Sequence, residues 1–366
     1  MKKLHILTSG FSSPNQRAFL FPLLCHHQKL QDTGISVEIF DQVQPRIYEC
    51  DYLALDSKYY STRWRKETQE VIDDVCKLSE GAGGLIYFDI TDSAGFDHAN
   101  VLPYVTVYAK SQLFIDRSLY LKPLVGYRLY TDYYSREHGI YDIDRSQSAP
   151  VKNADLLNKM IVGWNSGLAD YSWTGPYRMA AYERLPVKLF LRRLGIDRAP
   201  RPSDARQRQT SIRIGTNYQR ATVAYQRKSV AELMKHHLQT NKISRKQYIR
   251  EISQSKVVIS PFGLGEITLR DFEVFMSGAL LLKPKMDHME TWPNFFEENK
   301  TMVSHNWDLT DFRETLETIN NNYEDYLDIA HEGQSRYFSY LSGPDSGDFF
   351  TNHLNSILNF HDAQRG

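Results

Sequence analysis

A strand, a polar turn containing a glycine, a helix and a second strand follow one another within the first forty residues. The strand Leu4-His5-Ile6-Leu7 gives way to the turn Ser9 to Asn15, a helical stretch runs from Arg17 to Leu30, Asp32-Thr33-Gly34 stops it, and Ile35 to Phe40 is again extended. Two strands joined through a helix lie parallel, so this opening predicts a parallel sheet covered by helices. A further helix at about Arg65 to Leu78 leads through Gly81-Ala82-Gly83-Gly84 into Leu85 to Ile90, a short apolar run of the kind that a buried parallel strand needs.

The pattern then stops and restarts. Between Lys188 and Arg213 stand eight basic residues and only two acids, with Pro200 and Pro202 among them, which reads as an exposed linker. Beyond it come a short strand Ile212 to Gly215, a helix Val223 to His237, a helix Arg245 to Ile252 and a strand Val257 to Ser260. Near the end, Phe349 to Phe360 is apolar at helical spacing. At roughly 150 residues per domain, 366 residues suit two domains. The expected fold class is α/β, with two Rossmann-like doubly wound domains. Residues 1–185 form the first, 186–210 the basic linker, 211–342 the second, and 343–366 a final helix that returns to the first domain.

Composition narrows the function. Lys and Arg number 44 against 44 Asp and Glu, which disfavours a dedicated nucleic-acid binder. Three widely spaced cysteines, Cys25, Cys50 and Cys76, give neither a disulfide framework nor a zinc site, and suit a reducing cytoplasm. No apolar stretch approaches the roughly 18 residues of a spanning helix, so any membrane contact is expected to be peripheral. Tyrosine is abundant, with 23 copies, many between Tyr104 and Tyr141. Such residues either fill a core while the hydroxyl finds a partner, or stack on sugar rings.

The stretch Ser255 to Pro284 carries the chemistry: strand, glycine turn at Gly263 and Gly265, helix, Gly278 as stop, and a second strand. At about 100° per residue from Glu266, Arg270 falls at about 40°, Glu273 at about −20° and Ser277 at about 20°, on one polar stripe of a helix apolar elsewhere. Two readings fit the stripe. One is a solvated edge with helix ion pairs. The other is a cleft wall, where glycines admit a phosphate, the helix start offers free N–H groups, Arg270 adds donors and Glu273 accepts from ribose hydroxyls.

The block Ser260 to Pro284, followed by Met289-Glu290-Thr291-Trp292-Pro293, resembles the donor-binding signature of GT-B glycosyltransferases, in particular the group-1-like and exostosin-like families. Gly10 to Pro22 is similar to the first loop and helix of their acceptor domain. The resemblance implies two domains facing one cleft, a nucleotide-sugar donor, Glu273 at the ribose and Arg270 at the diphosphate, with Gly263, Gly265 and Glu266 beside them. Retaining members with paired glutamates place seven residues between the two, whereas Glu266 and Glu273 have six between them. Arg220 or Arg227, after the restart Gly215 to Arg220, adds a second cation for the diphosphate.

No metal and no cofactor are expected. Asp142-Ile143-Asp144 matches a metal-binding D-x-D, but it is discounted because it follows Gly139 in a polar stretch leading to Ser146 and Pro150, and the adjacent histidines His26-His27 and His236-His237 diverge on helices. Asp89 and Asp92 end a strand at the carboxyl edge of the first sheet, where ligands of open α/β sheets bind, and are the candidate general bases. The expected function is therefore metal-independent transfer of a sugar from a nucleotide-sugar donor to a hydroxyl acceptor, a glycan or polysaccharide. Alternatives are a nucleotide-sugar epimerase of the same fold and a non-catalytic nucleotide-sugar or glycan-binding module.

Overall fold

The computed structural model describes residues 1–64, 66–95, 98–171, 195–235 and 238–366. The expected basic linker lies partly outside them, as do His236 and His237. The first sheet contains β1 (Lys2–Leu7), β2 (Ile35–Phe40), β3 (Tyr52–Asp56), β4 (Leu85–Asp89), β5 (Val107–Lys110) and β7 (Met160–Val162). They are ordered β2-β1-β3-β4-β5-β7, and every pair is parallel. The second sheet is also parallel, in the order β12-β10-β9-β8, from β8 (Arg208–Ser211), β9 (Ser255–Ile259), β10 (Leu280–Pro284) and β12 (Val303–His305). Two Rossmann-like parallel sheets with their carboxyl ends on one cleft are the arrangement expected of the GT-B class.

Alternation sorts the strand side chains into layers. Leu4 and Ile6 enter one cluster and Leu7 the other, and in the second sheet Val257 and Ile259 face away from Val258. Helix α1 (Pro14–Cys25) opens on Ser13, whose hydroxyl accepts from the Gln16 N–H, with proline where a helix tolerates it. The stretch expected as one helix breaks at His26, where φ is −106° and ψ 14°, and resumes as α2 (His27–Asp32). Helices α3 (Thr68–Gly81) and α4 (Leu129–His138) complete the described helices of the first half.

In the second half, α5 (Ala221–Met234) covers one face of the sheet. The other is covered by α6 (Arg245–Gln254) and α7 (Leu269–Ser277). Helix α7 is bounded by a capping box between Thr268 and Asp271 and by Gly278, whose φ of 67° favours glycine. Helices α8 (Phe312–Asn321) and α9 (Leu327–Ser342) precede the last helix, α10 (Ser346–Arg365). That helix buries Phe350, Leu354, Ile357 and Leu358 against the first sheet's Leu4 and Ile6 cluster, at roughly 1.5–3 kcal/mol for each side chain.

The segment expected as an exposed linker is partly internal. Its strand begins at Arg208, not Ile212. Arg206 donates to the carbonyls of Ser255 and Ser277 at 2.7 and 2.6 Å, and the Pro200 carbonyl accepts from Gln334 at 2.8 Å. The two halves are also bonded directly. Strand β11 (Met289–Thr291) pairs antiparallel with β6 (Gln112–Phe114), Met289 opposite Phe114 and Thr291 opposite Gln112.

Candidate functional site

A cavity of about 1000 Å³ lies between the two sheets. Its walls are the loops that leave the carboxyl ends of strands. Ser13 and Asn15 follow β1, Lys58 follows β3, Thr91 and Asp92 follow β4, and Asn165 follows β7. From the other half, Arg213 to Gly215 follow β8, and the loop Gly263 to Thr268 follows β9 and leads into α7. Crevices at this edge are where open α/β sheets bind ligands. The volume is at the top of the range for pockets that hold one small molecule, so it has room for two reactants.

On the second-sheet wall, Arg270 and Glu273 both line the cavity from α7, as their three-residue spacing requires. They do not pair with each other. Arg245, the first residue of α6, donates to Glu273 at 2.7 Å and to the Tyr171 carbonyl at 3.0 Å. Burial pushes the Glu273 carboxyl above its ordinary value, and Arg245 opposes that rise. Arg270 donates to the Arg213 carbonyl and lies over the Tyr248 ring at 5.9 Å. Arg227 is buried, donates to the carbonyls of Gly215 at 2.6 Å and Phe262 at 2.7 Å, and has no carboxylate partner among the described residues. Burial lowers its guanidinium pKa. Among the described residues, six cations line the cavity, Lys58, Arg213, Arg227, Lys242, Arg245 and Arg270, against two carboxylates, Asp92 and Glu273. The chain as a whole is charge-balanced, so the positive field belongs to this site.

Several expectations are corrected. Asp89 does not reach the cleft. Its carboxylate is fully buried, accepting from Lys110 at 2.7 Å and from the Tyr108 hydroxyl at 2.6 Å. Burial alone would raise its pKa, but Lys110, His98 and the two hydrogen bonds hold it well below the usual carboxylate range. A base so stabilised as an anion is a poor proton acceptor. Lys110 also donates to Thr91 at 2.8 Å, so this pair supports the loop that carries Asp92. Asp92 itself is exposed in the cavity and accepts from Asn15 at 2.9 Å.

Glu266 is corrected in the same way. It precedes α7 and is fully buried, accepting from Ser93 Oγ at 3.1 Å and the Ala94 N–H at 3.0 Å. It therefore holds the second half's loop to the first half instead of lining the cleft. Gly265 lines the cavity, yet the close approach it permits is to protein: a β-carbon there would stand 1.5 Å from the Asp92 carbonyl oxygen. Gly263 lines the cavity with more space, the nearest atom to its absent β-carbon being Thr268 Cγ2 at 3.2 Å. Arg220 is not a cleft cation. It pairs with Asp142 at 3.1 Å, and Asp142 accepts the Thr222 N–H at 3.0 Å, which caps the start of α5 and spends the first acid of the D-x-D. Gly10 does not line the cavity, although Ser13 to Asn15 do.

Four of the tyrosines between 104 and 141 take the core-filling role, while Tyr104 and Tyr141 are exposed. Tyr108, Tyr120, Tyr130 and Tyr134 are buried, and their hydroxyls donate to Asp89, the Ala94 carbonyl, the Gly263 carbonyl and the Trp307 carbonyl. Sequence reasoning missed Lys58, Arg213, Lys242, Arg245 and Tyr248. One signal was present. Arg245 and Arg270 stand in the first turns of helices opened by capping boxes, where the helix dipole disfavours cations. Residues that break a local rule in this way mark functional sites.

No protein-family model matches the chain, and no curated protein matches it in sequence. Among solved structures it is similar to Anabaena HepE in complex with UDP and glucose, at a TM-score of 0.43 and 10% identity over 98% of this chain and 100% of that one. It is also similar to an alpha-glucosyltransferase in complex with UDP and DNA, at 0.41 and 10% identity over 98% and 99%. A glycosyltransferase from Rickettsia africae matches at 0.41 and 9% identity over 98% of each chain. Likenesses this distant concern the layout of the chain alone, and the functional reading rests on the residues of the cleft.

Proposed function

We propose that this chain is a metal-independent glycosyltransferase, moving a sugar from a nucleotide-sugar donor to a hydroxyl acceptor, a glycan or related molecule. The observation that carries the reading is the cleft's division of labour. One wall offers a buried guanidinium group, Arg227, a half-buried one, Arg270, and a glutamate midway along α7, and the opposite wall offers an accessible carboxylate. Arg227 and Arg270 neutralise the donor diphosphate, and Glu273, with Tyr248 beside it, accepts from the ribose hydroxyls. The acceptor lies against the first-sheet wall, with its hydroxyl toward Asp92. In the transfer, the acceptor oxygen bonds to the anomeric carbon while the bond from that carbon to the diphosphate oxygen breaks. The electron pair leaves with the diphosphate, and the hydroxyl proton passes to Asp92.

Nucleotide binding tests the reading. A thermal-shift series with UDP, GDP, ADP, CMP and dTDP should pick out one base, since a ligand at 100 times its dissociation constant stabilises by about 2.7 kcal/mol. Glu273→Ala should then cost roughly 1.5–3 kcal/mol of binding, a loss of about ten- to a hundred-fold, with the fold retained. Calorimetry showing unchanged affinity in folded Glu273→Ala and Glu273→Gln proteins would return Glu273 to a structural role.

A further inference from the structure

The charges in the cleft are not all used by the proposed donor. Of the cations on the second-sheet wall, Arg213 is spent on Glu251, with contacts of 3.0 and 2.7 Å, and Arg245 is spent on Glu273. Arg227 and Arg270 have no carboxylate partner among the described residues, and two guanidinium groups match the two charges of a diphosphate. Lys242, on the same wall, is exposed. That leaves Lys58, the one cation that the first-sheet wall contributes to the cavity among the described residues.

Lys58 is placed there by its own loop. Asp56, at the end of β3, is fully buried and turns its carboxylate inward. It accepts the Lys58 N–H at 2.7 Å and Gln16 Nε2 at 3.2 Å. Such a side-chain-to-backbone bond two residues on fixes a turn without neutralising the lysine's own charge. No carboxylate lies within ion-pair distance of the Lys58 ammonium among the described residues, and the side chain is half-buried along the cavity with Ser61. The wall's acid, Asp92, is bonded to Asn15. A half-buried cation without a carboxylate partner, in a cavity that other cations also line, favours an anion beside it.

We infer that the acceptor is anionic, a sugar or sugar-like molecule bearing a phosphate or carboxylate that Lys58 holds against the first-sheet wall. This rests on the donor reading above, in which the diphosphate occupies Arg227 and Arg270. Lys58 then discriminates by charge: a neutral acceptor of the same shape leaves the ammonium partly desolvated and unpaired, whereas an anionic one repairs it. A phosphate and a carboxylate differ in charge and geometry, so the experiment tries both.

Glucose 6-phosphate, glucuronate and glucose are titrated into the full chain, with and without saturating UDP, and the same is done with Lys58→Gln. At least one anionic sugar should bind at least tenfold more tightly than glucose, and Lys58→Gln should erase that preference while keeping the UDP affinity within twofold. Tighter binding of glucose 6-phosphate or of glucuronate identifies the group. Equal binding of all three sugars to the native chain overturns the inference, as does a preference that survives in Lys58→Gln. Weaker UDP binding in Lys58→Gln also overturns it, because Lys58 would then serve the donor. If UDP fails to bind while the anionic preference still depends on Lys58, the anion site stands and the nucleotide-sugar reading falls.

Discussion

Gly265→Ala perturbs the contact on which the shape of the cleft depends. The added β-carbon would lie 1.5 Å from the Asp92 carbonyl oxygen and 2.4 Å from its carbonyl carbon. Ordinary contact needs about 3.5 Å, so the two loops must separate by more than about 1.5 Å. Both clashing atoms are backbone, so no rotamer change relieves them. The next residue is Glu266, whose bonds to Ser93 and Ala94 at 3.1 and 3.0 Å cannot survive that shift. Overpacking costs roughly 1–3 kcal/mol and breaking hydrogen bonds to a buried charge roughly 1.5–3 kcal/mol, giving a loss on the order of 3 kcal/mol. Gly263→Ala is the control, because its nearest contact is a movable side-chain methyl at 3.2 Å. Urea unfolding of the two variants beside the parent chain measures the difference. A Gly265→Ala protein as stable as Gly263→Ala would refute the close approach and, with it, the role given to Glu266.

Asp92→Asn should lower transfer by roughly 10²- to 10⁴-fold while UDP affinity by calorimetry is retained, and unchanged turnover would dismiss Asp92 as the base. Turnover should persist in EDTA, since the proposed diphosphate site is built from guanidinium groups. Loss of activity on chelation, with recovery in Mn²⁺ or Mg²⁺, would overturn the metal-independent mechanism. His305 is fully buried, and burial pulls its pKa down to about 4, against the opposing effect of its bond to the Asn306 carbonyl. The unfolded chain, with an ordinary value of about 6.5, takes up the proton first as pH falls, so this contribution is complete above pH 6.5 and is lost down to about pH 4, for a total of about 3 kcal/mol. Urea unfolding between pH 7 and 4 should show a shallower fall for His305→Gln, and parallel curves would exclude His305 as the source.

How far the sequence was legible depended on the range of the interaction. The βαβ opening, the restart beyond the prolines, and the strand, glycine turn and helix from Ser255 to Gly278 were readable, because periodicity, caps and stop residues act within a few positions. The stripe of Arg270 and Glu273 was readable for the same reason. Glu266 lies off the stripe because the capping box of Thr268 and Asp271 starts the helix only at Leu269, so helical angles do not extend back to Glu266. The roles of Arg220 and Asp89 are not legible locally because their partners, Asp142 and Lys110, are 78 and 21 residues away.

By itself, then, the sequence determined two α/β halves and which residues share the polar face of α7, because secondary structure and amphipathic faces follow from local steric and hydrogen-bonding rules. Tertiary structure alone decided which of those charges remain available. Asp89, Glu266 and Arg220 are consumed by partners distant in the chain, while Lys58, Arg227 and Asp92 are left in the cavity. The physical reason is that a buried charge needs partners, which the packing of one half on the other sets for Glu266 and Arg220 and the neighbouring strand β5 sets for Asp89, contacts that no local pattern encodes.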